Sequence, residues 1–293
     1  MKKKEPLKKQ QNVMLALDLT KMDSTLLSYA SYLSEVLNIE HFYFTHNIKR
    51  SKLYNLYEDL LEEGITLEEI VEEALEKSIA KNYTGKTDYT LAITSDDYTE
   101  SILEHLSKKY SIDLLLVGYK SELQGTGALT QKLVRMIDAG ILMIPEETKY
   151  QLHKILVATD FSNASVKAFQ AAKHLTKKSK GKIEAIHVYN IPSFFYPYIN
   201  TQKAVDKTQK NLQEKTRQFR KKNQMTLENV NFHELDREEN SVAGVIEDFA
   251  LNQNFDLLIV SARGANNLTS LFIGSVTNDL IIRAVKTPLL VVK

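Results

Sequence analysis

A glycine-bearing loop near the C-terminus holds the residues whose types and spacing could do chemistry. Residues 257–260 form an apolar run, the loop over 261–275 follows, and Gly274-Ser275 opens the amphipathic segment Val276–Ala284. A helix N-terminus presents unpaired N–H groups and the positive end of a dipole, and glycines let the backbone approach an anion closely. The spacing therefore predicts a phosphate-binding site, without indicating which phosphate it holds.

Length and composition indicate the number of domains and exclude several classes of function. A chain of 293 residues with 43% apolar content is long enough for two ordinary domains. The net charge of +1 argues against a general nucleic-acid-binding protein. The absence of cysteine excludes disulfides, thiolate catalysis and cysteine-based zinc sites.

The N-terminal segment is basic, but it does not have the pattern of a signal peptide. Its first apolar stretch, Val13–Leu17, is short and is followed by Asp18. No apolar run approaches the length that spans a bilayer. We therefore expect a cytoplasmic protein without a membrane partner.

The two halves of the sequence resemble each other, which indicates a tandem duplication. The matches occur in one order and at nearly one offset, and the seam lies in the polar stretch 145–153. We predict domains at residues 1–147 and 152–293. The matching segments are residues 14–20 with 156–162, His46 with His187, and 113–118 with 256–261.

Each half alternates short apolar strands with helices. The pattern predicts two tandem Rossmann-like α/β domains, each a five-stranded mainly parallel sheet with helices on both faces. Ligands of such sheets bind at the carboxyl ends of the strands, where the strand order switches. Asp160, His187 and the 261–275 loop all lie at predicted strand ends, so we expect them to converge. The predicted helices include 24–37, 99–110, 164–176 and 242–252.

The C-terminal motifs resemble the universal stress protein family, and the resemblance extends more weakly to the N-terminal half. The ATP-binding members of that family have the pattern Gly-x2-Gly-x9-Gly-Ser/Thr, and this chain has Ser261-x2-Gly264-x9-Gly274-Ser275. Serine thus replaces the first glycine. The other motifs that carry the resemblance are Ala158-Thr-Asp160-Phe-Ser162, His187-Val188, Val276-Thr277 and Thr287-Pro-Leu-Leu-Val-Val292.

The resemblance implies a site for ATP, or for AMP or ADP, with Mg²⁺ as a candidate companion. It places Asp160 beside the ribose and adenine, and the backbone of Val188 at the adenine edge. Backbone N–H groups of the glycine loop would hold the phosphates, with the Ser275 hydroxyl as one more donor. The implied binding residues are Ala158, Thr159, Asp160, Val188, Ser261, Gly264, Gly274, Ser275 and Val276.

The N-terminal half departs further from the family pattern. Gly118 stands at the first-glycine position, but Ser121 replaces the second glycine. Only the five residues 122–126 precede Gly127, and Ala128 replaces the serine. A loop four residues shorter cannot wrap a triphosphate in the same way, so we expect this half not to bind ATP as the C-terminal half does.

Several candidate residues also have ordinary structural interpretations. Asp18 and Asp160 could cap the helices that follow them, and for Asp18 this interpretation is favoured. We expect His46 and His187 to be half-buried polar residues. No metal site is predicted, because the spacing of His233, Glu234 and Asp236 fits no zinc pattern.

Two predicted long helices have opposite charge. Residues 51–82 contain nine acids and three lysines, whereas residues 201–222 contain eight bases and two acids. Two solvated faces are the favoured interpretation, and the alternative is that the opposite signs steer the halves or neighbouring molecules together. The aromatic stretch 191–198 is either a lid over the site or a packed loop.

The sequence favours a nucleotide-binding sensor that acts through protein partners it does not identify. A nucleotide-free interaction scaffold and a weak ATPase are the alternatives. No catalytic residue is predicted, because no lysine or positioned base accompanies the loop. We further predict an internal pseudo-dimer through the last strands, 141–144 and 289–292, with a homodimer as a further option.

Overall fold

The protein is described here by a computed structural model, in which the chain divides into two compact units, Met1–Gln151 and Leu152–Lys293. The described residues are 11–49, 61, 64–120, 126–191, 198, 200–223, 227, 229–264, 272–283 and 286–293.

The N-terminal unit has a five-stranded sheet in the order β3-β2-β1-β4-β5, in which all neighbouring strands are parallel. Its elements are β1 Gln11–Leu17, α1 Met22–Val36, β2 Ile39–Ile48, α2 Leu67–Asn82, β3 Tyr89–Ser95, α3 Thr99–Lys109, β4 Leu114–Tyr119, α4 Thr126–Met136 and β5 Gly140–Pro145.

The C-terminal unit repeats this plan, with five parallel strands in the order β8-β7-β6-β9-β10. Its elements are β6 Lys154–Ala158, α5 Asn163–Ser179, β7 Lys182–Tyr189, α6 Thr201–Lys222, β8 Asn231–Asp236, α7 Val242–Asn252, β9 Leu257–Ser261, α8 Ser275–Ile282 and β10 Leu289–Val292. The predicted α/β fold with two Rossmann-like domains is confirmed.

Buried apolar strands form the cores of the two units. Every residue of β5 and β10 is buried, as are the first four residues of β4 and β9. Continuous apolar strands of this kind are expected in parallel sheets that are covered on both faces. Within the part of the chain that the structure describes, no helix is long and apolar enough to cross a membrane.

The observed element boundaries correct two predictions. The acidic segment over 51–82 is not one helix, because α2 begins at Leu67, where the Thr66 hydroxyl accepts the N–H of Glu69 in a capping box. Residues 51–60 lie outside the described part. The second strand of each half continues two residues beyond its histidine, to Ile48 and to Tyr189.

The strand order places the residues that follow the central strands at one edge of each sheet. In each unit the order reverses between the first and the fourth strand, and the crevice at this reversal is where such sheets bind ligands. Asp18 and Lys120 follow β1 and β4 in the N-terminal unit. Asp160 and Arg263 follow β6 and β9 in the C-terminal unit.

Candidate functional site

The turn between β6 and α5 presents Asp160 at the carboxyl edge of the sheet. The Thr159 N–H donates to the carbonyl of Ile186 (2.9 Å), which fixes the start of the turn. Phe161 has a φ of 62°, so the chain reverses there in the left-handed region. The Ser162 N–H donates to Asp160 Oδ1 (3.0 Å). The exposed Asp160 carboxylate is therefore held at one oxygen by its own turn.

The other oxygen of this carboxylate faces the glycine loop. A Cβ atom built on Gly264 would lie 2.9 Å from Asp160 Oδ2, so only glycine leaves the carboxylate its present room. A Cβ atom on Gly274 would lie 3.6 Å from the nitrogen of Gly264. The Gly274 N–H also donates to the carbonyl of Ala262 (2.9 Å), which joins the two ends of the loop. The structure thus brings together three of the predicted site residues.

Helix α8 begins at this convergence. Its N-cap is Gly274, which provides no side-chain acceptor, whereas α5, α6 and α7 each begin at a side chain that accepts a first-turn N–H. The predicted residues Ser275 and Val276 lie in the first turn of α8. The first-turn N–H groups of an uncapped helix favour an anion. Residues 265–271 of the loop lie outside the described part.

Ser261, which replaces the family's first glycine, lies at the end of β9. Its hydroxyl donates to the carbonyl of Arg263 (2.6 Å), so the side chain turns toward the loop backbone. The carbonyl of Ser261 accepts the hydroxyl of Thr277 (2.8 Å), which anchors α8 to the strand end. The substitution is therefore accommodated within the loop.

His187 and Val188 lie near the end of β7, where Val188 is in register with Leu235 of β8. The Nδ1 atom of His187 lies 2.8 Å from the carbonyl oxygen of Thr159, and its ring centroid lies 4.4 Å from that of Phe161. A carbonyl only accepts, so Nδ1 carries the proton. Burial lowers the pKa of the His187 imidazole, which favours the neutral ring.

His46 has the same position in the N-terminal unit. Its Nδ1 atom lies 2.9 Å from the carbonyl oxygen of Leu17, and burial lowers the pKa of its imidazole as well. In both halves the histidine joins the second strand to the last carbonyl before the turn aspartate. The interpretation of His46 and His187 as half-buried polar residues agrees with this geometry.

Comparison with known proteins identifies the C-terminal half. The model of the universal stress protein family matches residues 151–293. The C-terminal half belongs to the universal stress protein family. Comparison with curated protein sequences gave no match.

Solved structures show that the fold of this family extends over both halves. A universal stress protein from Archaeoglobus fulgidus aligns with a TM-score of 0.65 and 19% identity, over 96% of this chain and 98% of that one. A functionally unknown protein from Pseudomonas aeruginosa aligns with a TM-score of 0.63 and 14% identity, over 96% of this chain and 92% of that one. At these identities the likeness shows the fold alone, and both halves of the chain have this fold.

The N-terminal domain differs from the universal stress protein domain at the turn aspartate. Lys120, which follows β4, forms an ion pair with Asp18, and its side chain is only 12% exposed. Asp18 Oδ1 also accepts the hydroxyl of Thr20 (2.7 Å). The interpretation of Asp18 as a helix cap is wrong, because α1 has Lys21 as its N-cap, without a side-chain cap bond.

A second carboxylate stabilises this turn. Asp23 is 3% exposed and accepts the N–H groups of Asp18 (3.0 Å) and Leu19 (2.8 Å). Burial raises the pKa of the Asp23 carboxyl to about 6. The universal stress protein domain has Ser165 at the matching position, where its hydroxyl lies 2.9 Å from that of Thr159.

In the N-terminal domain, the Met22 side chain packs against Gly118, which stands at the first-glycine position. A Cβ atom built on Gly118 would lie 2.3 Å from Cγ of Met22, so the glycine serves the packing of this 3% exposed methionine. The short loop over 121–125 lies outside the described residues. Gly127 and Ala128 lie within the first turn of α4, which begins at Thr126.

Met22, Asp23 and Lys120 are not predicted from the sequence. The alignment of the two halves held one signal for Lys120, since Arg263 is the matching residue and the position is basic in both halves. No comparable signal existed for Met22 or Asp23, because their contacts join residues whose spacing follows no motif.

The cluster considered for a metal does not converge in the structure. His233 Nε2 lies 2.6 Å from Glu184 Oε2, whereas the Glu234 carboxylate accepts the hydroxyl of Thr216 (2.6 Å). Asp236 Oδ1 accepts the N–H of Glu238 (3.0 Å). Each side chain thus has its own partner within the fold.

Proposed function

We propose that the C-terminal domain binds ATP or a related adenine nucleotide, with the phosphates at the first turn of α8. The observation that carries this proposal is the convergence of the Asp160 carboxylate, Gly264 and Gly274 at a helix start that lacks a side-chain cap. A carboxylate and a set of open N–H groups at one edge match the two ends of a nucleotide, the ribose hydroxyls and the phosphates.

The remaining predicted residues fit around these two anchors. Ala158 and Thr159 lead into the turn that presents Asp160, and the backbone of Val188 is our candidate for the adenine edge. Where Mg²⁺ accompanies the nucleotide, phosphate oxygens and water would supply its ligands. No group of three or more histidine and acidic side chains that could hold a metal occurs among the described residues.

The proposed role is that of a stress-response sensor, in which nucleotide occupancy changes how the protein engages protein partners. We assign no catalytic residue, and hydrolysis, if present, is slow. We place the protein in the cytoplasm, where nucleotide concentrations report the energy state. The internal pseudo-dimer through the last strands stays a prediction.

A substitution at Gly274 tests the proposed site. Gly274→Val places a branched side chain where the phosphates approach, and the loss of charged hydrogen bonds should weaken ATP binding about tenfold to a hundredfold. The φ of −60° suits any residue, and a Cβ there meets only ordinary contacts, so the domain should still fold. Gly274→Ala is the matched control for the loss of the glycine itself. Unchanged ATP affinity in folded Gly274→Val, measured by calorimetry, contradicts the site.

A nucleotide-free interaction scaffold is the second candidate function. It is favoured by Ser261, which stands at the family's first-glycine position, and by Met22, which packs against Gly118 in the N-terminal domain. Mass spectrometry of small molecules released from protein purified without added nucleotide separates the two. An adenine nucleotide in the released fraction supports the sensor, and its absence together with undetectable ATP binding supports the scaffold.

A further inference from the structure

Helices α2 and α6 are structural counterparts, because each connects the second strand of its unit to the third. Their surface charges are nevertheless opposite. Because the two helices occupy the same place in the fold, the fold itself does not dictate the sign of their charge. It is therefore a property of this chain and not of the fold.

The charges of α6 form a stripe on its outward face. At 3.6 residues per turn, five of its cations lie within about 40° of one line along the helix. The buried residues Leu212 and Phe219 lie on the opposite side. All members of the stripe are exposed, and they are Lys203, Lys207, Lys210, Arg217 and Lys221.

The charges of α2 form the matching acidic stripe. Its members Glu69, Glu73 and Glu76 are exposed, and the buried residues Val71, Leu75 and Ile79 lie on the other side of the helix. The three glutamates are separated by four and then three residues, and Lys203, Lys207 and Lys210 have the same spacing. Both triads therefore span about 10 Å along their helices. Glu73 and Glu76 are three residues apart, and so are Lys207 and Lys210. These two pairs have the same spacing, so they can face each other whether the helices run parallel or antiparallel.

We propose that two copies of the chain associate through these stripes, with α2 of each copy against α6 of the other. A twofold arrangement of this kind uses the same contact twice and closes on itself. The chain supplies both signs and has a net charge of only +1, which favours its own acidic stripe over a foreign polyanion as the occupant. Charge complementarity sets partner and register more than affinity, so the association is weak and salt-dependent.

Charge reversal of matched pairs tests the proposal. The basic reversal is Lys207→Glu with Lys210→Glu, and the acidic reversal is Glu73→Lys with Glu76→Lys. Glu69 is left unchanged because it closes the capping box of α2. The control variant is Lys177→Glu with Lys178→Glu, which makes the same charge change at exposed positions of α5. Circular dichroism verifies that each variant is folded.

Sedimentation velocity measures the self-association of the full chain. The wild type and the control should dimerise in about 10 mM salt and separate in about 1 M salt, as the Debye length falls from roughly 30 Å to roughly 3 Å. Each reversal alone should weaken dimerisation about tenfold or more. An equimolar mixture of the two reversals, or both reversals in one chain, should restore it.

Three outcomes overturn the proposal. The first is that the wild type does not self-associate at low salt. The second is a dimer that neither charge reversal weakens. The third is that the basic reversal weakens dimerisation and the acidic reversal does not restore it. The last of these indicates that α6 contacts a surface of the second copy other than α2. None of them bears on nucleotide binding, which is measured separately.

Discussion

At the scale of single residues, the two turn aspartates occupy matching positions but have different described contacts. Both carboxylates are exposed; that of Asp160 lies beside Gly264, and that of Asp18 forms an ion pair with Lys120. The sequence matched the two aspartates correctly, but it could not show the ion pair. That contact depends on the register of β1 against β4, which places residues about a hundred positions apart at one edge.

The Asp160 carboxylate should recognise the ribose. Asp160→Ala should weaken ATP binding about tenfold to a hundredfold, because hydrogen bonds from the ribose hydroxyls to a charged acceptor are lost. A nucleotide without those hydroxyls, 2′,3′-dideoxy-ATP, should bind the wild type and the variant about equally. Calorimetry of the four combinations measures the coupling. An equal loss for both nucleotides means that the carboxylate acts elsewhere.

At the scale of elements, much of the architecture follows from the sequence pattern. The alternation of strands and helices and the duplication predicted both sheets, and helix 242–252 agrees with α7. The prediction failed for the acidic segment, where charge alone suggested one helix from residue 51. The capping box at Thr66 starts α2 sixteen residues later, at Leu67. The opposite charges of α2 and α6 can be read from the sequence. That these charges lie on the outward faces of the helices follows only from the observed burial of their other residues.

The junction of β4 and α1 should not tolerate a larger residue at Gly118. Gly118→Ala brings a Cβ to within 2.3 Å of Cγ of Met22, and overpacking of this kind costs about 1–3 kcal/mol of unfolding free energy. In a Met22→Ala background the same change should cost much less. Urea denaturation followed by circular dichroism measures both effects. Equal costs in the two backgrounds would show that Met22 does not fill the position.

At the scale of the whole molecule, the two domains share a fold but differ at the residues that follow their first and fourth strands. In the N-terminal domain, Met22 fills the space over Gly118, and Lys120 neutralises Asp18. In the C-terminal domain, Ser261 stands at the position of Gly118, and α8 starts without a side-chain cap near Asp160. This asymmetry predicts one nucleotide site per chain.

The most direct test of this central claim is the ATP stoichiometry of the full chain, measured by titration calorimetry after any bound nucleotide has been removed. We expect one ATP bound per chain. Two equivalent sites per chain, or no binding heat at any temperature and no displacement of a labelled nucleotide, would contradict it.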